Sequence, residues 1–186
     1  KKDIKQMAID KGYKALAEKD ESYEICFIPD NDYRGFLKRR VEGLEERVKG
    51  GKFITTDGKE VGTHDGYPFY TIGQRKLGVS LGPNPTYVIG INPEDNTVVV
   101  GTKEELKKQE MLIRDVNYLK YEKIDDGMQC MVKVRYKHKG EMATITNNGK
   151  NLKILFHKRV SGIAPGQSAA IYEGDDLIAG GFIMKG

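Results

Sequence analysis

Two cysteines stand far apart in this sequence, at positions 26 and 130, in unlike surroundings. A thiol does chemistry as an accessible or activated thiolate; buried among apolar groups it is inert filling. In "MQCMVKVRY", strand alternation puts Met128, Cys130, Val132, Val134 and Tyr136 on one face, so Cys130 points into a core. Cys26 lies in "EICFIP", read as a buried strand or extended segment. No Lys, Arg or His within four residues lowers its pKa, and Glu24 acts to raise it. Yet the segment ends at Pro29, just ahead of a helix that Asn31 or Asp32 can cap, and a helix N-terminus favours a thiolate. The local sequence leaves Cys26 open between a packed thiol and a nucleophile.

Two cationic stretches could meet a polyanion. Lys133, Arg135 and Lys137 share the strand face opposite Cys130, roughly 6–7 Å apart at period two. That is close to the spacing of successive phosphates, and no acid occurs from Met128 to Gly140. The wet face of an antiparallel barrel is the alternative. The other stretch, "GYPFYTIGQRKLGVSLGPNP", has no acid from Gly66 to Pro93. It sets Gln74, Arg75 and Lys76 among glycines beside Tyr67, Phe69 and Tyr70, a composition that suits RNA, with stacking on the rings and phosphates on the cations. A solvated glycine-rich loop explains it equally well. The three histidines, 64, 138 and 157, are scattered, so no metal site is expected. GxGxxG, P-loop, GxSxG and HExxH patterns are absent.

The elements that must position these residues form a mainly β protein of 186 residues with 31% charged and 38% hydrophobic side chains and a net charge of +4. No apolar run approaches a membrane span, and no signal-peptide pattern appears, so no membrane partner and a reducing, cytoplasmic setting are expected. The chain opens on "KKDIKQMAIDKG", which reads as the middle of a longer protein.

Ile4, Met7 and Ala8 predict a first helix stopped by Gly12, followed by connecting chain over "GYKALAEKDES". A second helix carries Tyr33, Phe36, Leu37 and Val41 on one face. "KFITTDGKEVGTH" predicts a hairpin with a two-residue type I′ turn at Asp57-Gly58. "TYVIGINPEDNTVVVGT" predicts another, and Thr102 with Glu105 a capping box on a short helix. From residue 111 onward, six strand-like runs punctuated at Asn148-Gly149 and Gly174-Asp175 predict a six-stranded antiparallel β-barrel. The expected organisation is a short helical lead (1–40), a small β-rich central domain (41–108) and the C-terminal barrel (109–186).

"EICFIPDNDYRGFL", "GTHDGYPFYTIGQRK", "VKVRYKH" and "APGQSAAIYEGDDLIAGGFI" follow in this order at fitting distances. Together they resemble the tRNA-specific 2-thiouridylase (tRNA-uridine 2-sulfurtransferase) family, over essentially the whole chain. The resemblance is to the family's C-terminal portion; the N-terminal PP-loop domain, which binds ATP and carries a first catalytic cysteine, has no counterpart here. It implies that Cys26 is the second catalytic cysteine, which carries sulfur as a persulfide from a sulfur-donor relay protein. ATP adenylates the wobble uridine's C2 oxygen, the persulfide sulfur displaces AMP, and the partner cysteine closes a disulfide with Cys26. It places tRNA contacts at Arg135, Tyr136 and Gln167, on the basic stretch already noted, and matches Gly73, Gln74, Arg75 and Lys76 residue for residue. The chain alone is then expected to be inactive.

The sequence departs from the family pattern in three places. "GQRKLG" lacks a glycine after Lys76, "IAGG" has Ala179 where the family has glycine, and "FHKRVSG" replaces a more acidic stretch. A non-catalytic RNA-binding module, resembling translation-factor barrels, is the alternative function. A thiol redox protein is a third, weakened by the absence of CxxC and of a βαβ pattern.

Overall fold

A computed structural model describes residues 2–18, 27–28 and 30–185. The chain divides into two compact units, Lys1–Leu44 and Glu45–Gly186.

In the first unit, α1 (Lys2–Asp10) ends as expected, with Gly12 in the left-handed region at φ 86°. The connecting chain that was expected next is partly helical: α2 (Lys14–Glu18) follows at once and packs against α1. Its residues KALAE are good helix formers, and the neighbouring helix supplies the support that five residues lack alone. Of the expected "EICFI" segment, Glu24, Ile25 and Cys26 lie outside the described residues. Phe27 is in a turn and Ile28 is not in a strand. The turn closes with the Asn31 amide donating to the Ile28 carbonyl at 3.1 Å. Asp32, not Asn31, caps α3 (Tyr33–Arg40), its carboxylate accepting from the Gly35 amide at 2.8 Å. Val41 is the C-cap rather than part of the helix face, because the backbone turns extended there.

The second unit begins within α4 (Leu44–Val48), which leads into a four-stranded sheet. Its strands are β1 (Gly51–Ile54), β2 (Glu60–His64), β3 (Tyr87–Asn92) and β4 (Thr97–Gly101), in the order β2-β1-β4-β3. Two antiparallel hairpins are joined through a parallel β1–β4 pair. The first hairpin does not use the expected two-residue turn. The Gly58 amide donates to the Thr55 carbonyl at 3.0 Å and the Thr55 amide to the Lys59 carbonyl at 2.9 Å, with only Gly58 at positive φ. This is the three-residue loop in which a left-handed glycine forms a bulge, an equally good use of Asp-Gly. Phe53, Val88, Val98 and Val100 form the buried centre of the sheet.

His64 closes that core edge-on to Phe53, 4.8 Å between ring centroids, and 5.1 Å from Tyr70. Its Nδ1 accepts from the Gly66 amide at 3.0 Å, which puts the neutral ring's proton on Nε2, a buried atom with no hydrogen-bond partner among the described residues. Burial pushes the His64 pKa down, against smaller upward pulls from the Lys52 backbone and the Asp65 charge. The unfolded chain therefore takes up the proton first, at about pH 6.5. Stability supplied by neutral His64 is present above that pH and is lost as pH falls towards the lower folded value. Urea midpoints at pH 7.5 and 5.5 should show a loss in the parent that is reduced in His64→Leu. Equal losses in both would place the pH dependence elsewhere, first at His138, whose pKa burial also lowers.

The barrel is built as its turn residues and alternation predict. Its strands are β5 (Lys107–Tyr118), β6 (Met128–Lys133), β7 (Glu141–Asn148), β8 (Asn151–Ser161), β9 (Ser168–Glu173) and β10 (Asp176–Ile183). They close in the order β10-β5-β8-β7-β6-β9, every neighbour antiparallel. Cys130, 1% exposed, lies inside with Val132, Val134, Ile154, Phe156 and Ile171. The Thr102–Glu105 capping box forms, the Thr102 amide donating to the Glu105 carboxylate at 2.8 Å, but on a single turn rather than a helix. The same carboxylate accepts from the Thr56 hydroxyl at 2.9 Å, tying the β1–β2 turn to the link between sheet and barrel.

Candidate nucleic-acid interface

Antiparallel closure decides which loops meet. The β6–β7 connection (134–140), the β8–β9 connection (162–167), the chain's entry at Lys107 and its exit after Ile183 all fall at one end of the barrel. Arg135, Tyr136, Lys137 and Gln167 are therefore gathered at that end.

They are not gathered in the way the alternation predicted. β6 stops at Lys133, so of the three cations expected on one strand face only Lys133 is on a strand. Its ammonium lies 4.8 Å from the Tyr172 ring centroid. Val134 still points inward, but the chain then turns, the His138 amide donating to the Arg135 carbonyl at 3.0 Å. Tyr136 accordingly leaves the core face assigned to it and is 98% exposed. An isolated tyrosine ring standing in water beside two cations is a stacking platform for an unpaired base. The charge of the turn also registers on His138, whose pKa is lowered by burial first and by the Arg135 and Lys133 charges after it, with Glu141 opposing.

Arg135 is an exposed side chain. Its guanidinium lies against Gly162, where a methyl carbon would fall 2.8 Å from Nη1. Gly162 is at φ 78°, so the backbone there calls for glycine. Nothing in the sequence pointed to Gly162 beyond its being a turn glycine, yet the Arg135 guanidinium lies against it. Five residues on, the Gln167 amide donates to the Ala164 carbonyl at 3.2 Å and its carbonyl accepts from the Ile183 amide at 2.8 Å, which fixes the backbone and leaves the residue exposed. Lys158 and Arg159, from the stretch that departs from the family pattern, are exposed near the same end of β8.

The "GQRK" loop runs along the outer edge of β3. The Gly73 amide donates to the Val88 carbonyl at 2.8 Å and the Val88 amide to the Gln74 carbonyl at 3.0 Å. Gln74 is half-buried, its side-chain oxygen accepting from the Thr71 amide at 3.1 Å, which suits a positioning role within the loop. Arg75 and Lys76 are exposed, Arg75 6.0 Å from the Tyr87 ring centroid. Lys76 itself takes the left-handed conformation, φ 59°, ahead of Gly78 at φ 80°: the shortened loop turns without the extra glycine.

Cys26 lies outside the described residues. Cys130 is a buried free thiol whose pKa burial pushes up, the Glu173 charge adding to it. No group of three His, Cys, Asp or Glu side chains able to hold a metal occurs among the described residues. No helix among them is long and apolar enough to cross a membrane.

Comparison with known proteins bears on the same residues. Two family models match, "tRNA methyl transferase PRC-barrel domain" over residues 34–102 and "Aminomethyltransferase beta-barrel domain" over residues 108–183. Curated relatives named tRNA-specific 2-thiouridylase MnmA match throughout. The Amoebophilus asiaticus protein is 52% identical over 185 residues, covering 98% of this chain and 49% of its own length. The Cytophaga hutchinsonii protein is 52% identical, covering 100% of this chain and 50% of its own length. The Salinibacter ruber protein is 46% identical, covering 100% of this chain and 49% of its own length. The chain spans about half the length of the curated relatives it matches.

Proposed function

This chain belongs to the tRNA-specific 2-thiouridylase family, and from that membership we propose that it is the sulfur-accepting and tRNA-holding part of a tRNA-uridine 2-sulfurtransferase. The observation that carries the RNA role is the barrel end where exposed Arg135 lies against Gly162 beside fully exposed Tyr136, with Lys137 and Gln167 at the same end. An exposed guanidinium presents a planar fork to a phosphate or a base edge, which a lysine cannot copy.

Cys26 is the proposed sulfur carrier. Its thiolate attacks the outer sulfur of a donor protein's persulfide; the donor's inner sulfur leaves as thiolate, and Cys26 becomes the persulfide. Delivery to uridine and the closing disulfide need a partner thiol that this chain's other cysteine, buried in the barrel, is not placed to supply. No described stretch fits ATP: the glycine-rich run from Gly73 to Pro85 opens an exposed loop and leads into no helix N-terminus. ATP activation is assigned to a portion of the family's length that this chain does not span.

The test is tRNA affinity against salt for the parent, Arg135→Ala and Lys120→Ala. Lys120 sits at the opposite barrel end, already held by Glu173 at 2.7 Å and Asp176 at 2.8 Å. Arg135→Ala should bind more weakly, with a salt slope shallower by about 0.7–0.9. Lys120→Ala should keep the parent's slope. Parent-like binding by Arg135→Ala at every salt concentration would reduce the basic turn to a solvated surface.

A further inference from the structure

Between the sheet and the barrel lies a groove of about 360 Å³, at the small end of ligand-site volumes. One wall is Tyr70, Thr71 and Ile72 with Ile89, Gly90, Ile91 and Pro93; the other is Ile163, Ala164 and Pro165. Among the described residues, the charged ones lining it are Lys108 and Lys185. We propose that this groove is a nucleotide subsite: it takes one unstacked nucleotide of a bound RNA, its base between the apolar walls and its phosphate between Lys108 and Lys185.

Three observations converge on that occupant. The groove is apolar inside with cations and no carboxylate on its lining, a distribution that matches a base carrying a phosphate. Its barrel wall belongs to the 162–167 loop, which also lies against Arg135 at Gly162 and presents Gln167, so one loop borders both the groove and the basic turn. Its sheet wall leads directly into Gln74, Arg75 and Lys76. A strand laid over the Arg135 turn thus meets the loop that forms the groove's barrel wall. The site is also preformed. Tyr70 is packed on Phe53 at 5.2 Å between centroids, and the opposite loop is pinned where the Gly166 amide donates to the Ile183 carbonyl at 2.8 Å.

The inference rests on the RNA-binding reading, and the experiment separates the two. UMP and AMP are titrated into the 186-residue chain while amide and methyl resonances are followed. Affinity for an unmodified tRNA transcript is measured for the parent, Arg135→Ala, the pair Lys108→Ala with Lys185→Ala, and Ala164→Phe, which fills the groove. The expected result is nucleotide-dependent shifts at Gly90, Ala164 and Ile72, and a loss of tRNA affinity of about tenfold or more in the groove variants. The lysine pair, on exposed positions, keeps the test informative should Ala164→Phe fail to fold. If Arg135→Ala weakens binding while the groove variants match the parent and no groove resonance moves, the groove has another occupant and the RNA reading stands. If mononucleotides shift the groove but tRNA does not bind the parent, the groove is a free-nucleotide site and both the subsite of a bound RNA and the RNA reading fail.

Discussion

A chain carrying Cys26→Ser should take up no sulfur from a persulfide donor, whereas Cys130→Ser should accept it as the parent does. Sulfur acceptance requires a thiolate that a donor protein can reach. Cys130 meets neither condition: it is 1% exposed on the inner face of β6, and burial raises its pKa. Its replacement by serine instead puts a hydroxyl among valines, costing about 1–3 kcal/mol of stability where no partner is at hand. Intact mass after incubation with a persulfide donor reads acceptance, and urea unfolding reads the cost. Sulfur uptake by Cys26→Ser equal to the parent's would remove Cys26 from the reaction. It would favour a binding module in which only the basic turn matters.

The second large effect is on stability. Phe156→Ala should cost about 3–5 kcal/mol, a sizeable part of the roughly 5–15 kcal/mol that holds a domain folded. Phe156 is 1% exposed and reaches the barrel centre from β8, with Ala143 of β7 directly across the ladder. Leu155, one residue earlier on the same strand, is 46% exposed, and its alanine variant should stay within about 0.5 kcal/mol of the parent. Urea midpoints of the two variants decide it; similar values would mean that β8 does not present alternate residues to core and solvent.

That alternation is also why much of the fold was legible. Six barrel strands, the burial of Cys130 and the tight turns at Gly149 and Gly174 follow from period two and from glycine placement, both local properties. The misreading at Arg135, Tyr136 and Lys137 has the same origin. Alternation remains correct through Val134, and no glycine or proline marks the end of β6 before Gly140. What ends the strand is the turn closed by His138, a matter of three-dimensional fit. Similarly, Asp57-Gly58 announces a left-handed glycine but not which of two glycine-using turns will form. The site was legible as residue types and not as an assembly. The meeting of Arg135 with Gly162 depends on β6 and β8 sharing a barrel end, which no window of sequence contains.

The backbone pairing of Gly73 and Gln74 with Val88 has a consequence for self-association. A closed barrel has no edge strands, whereas the four-stranded sheet has two, β2 and β3. An open edge offers unpaired amides and carbonyls to any second extended chain. On β3 the backbone groups of Val88 are already taken by the loop that carries Arg75 and Lys76. That loop occupies the edge at Val88 and places two exposed cations beside it. A change that unseats it would remove cations from the surface and at the same time uncover a β template for aggregation.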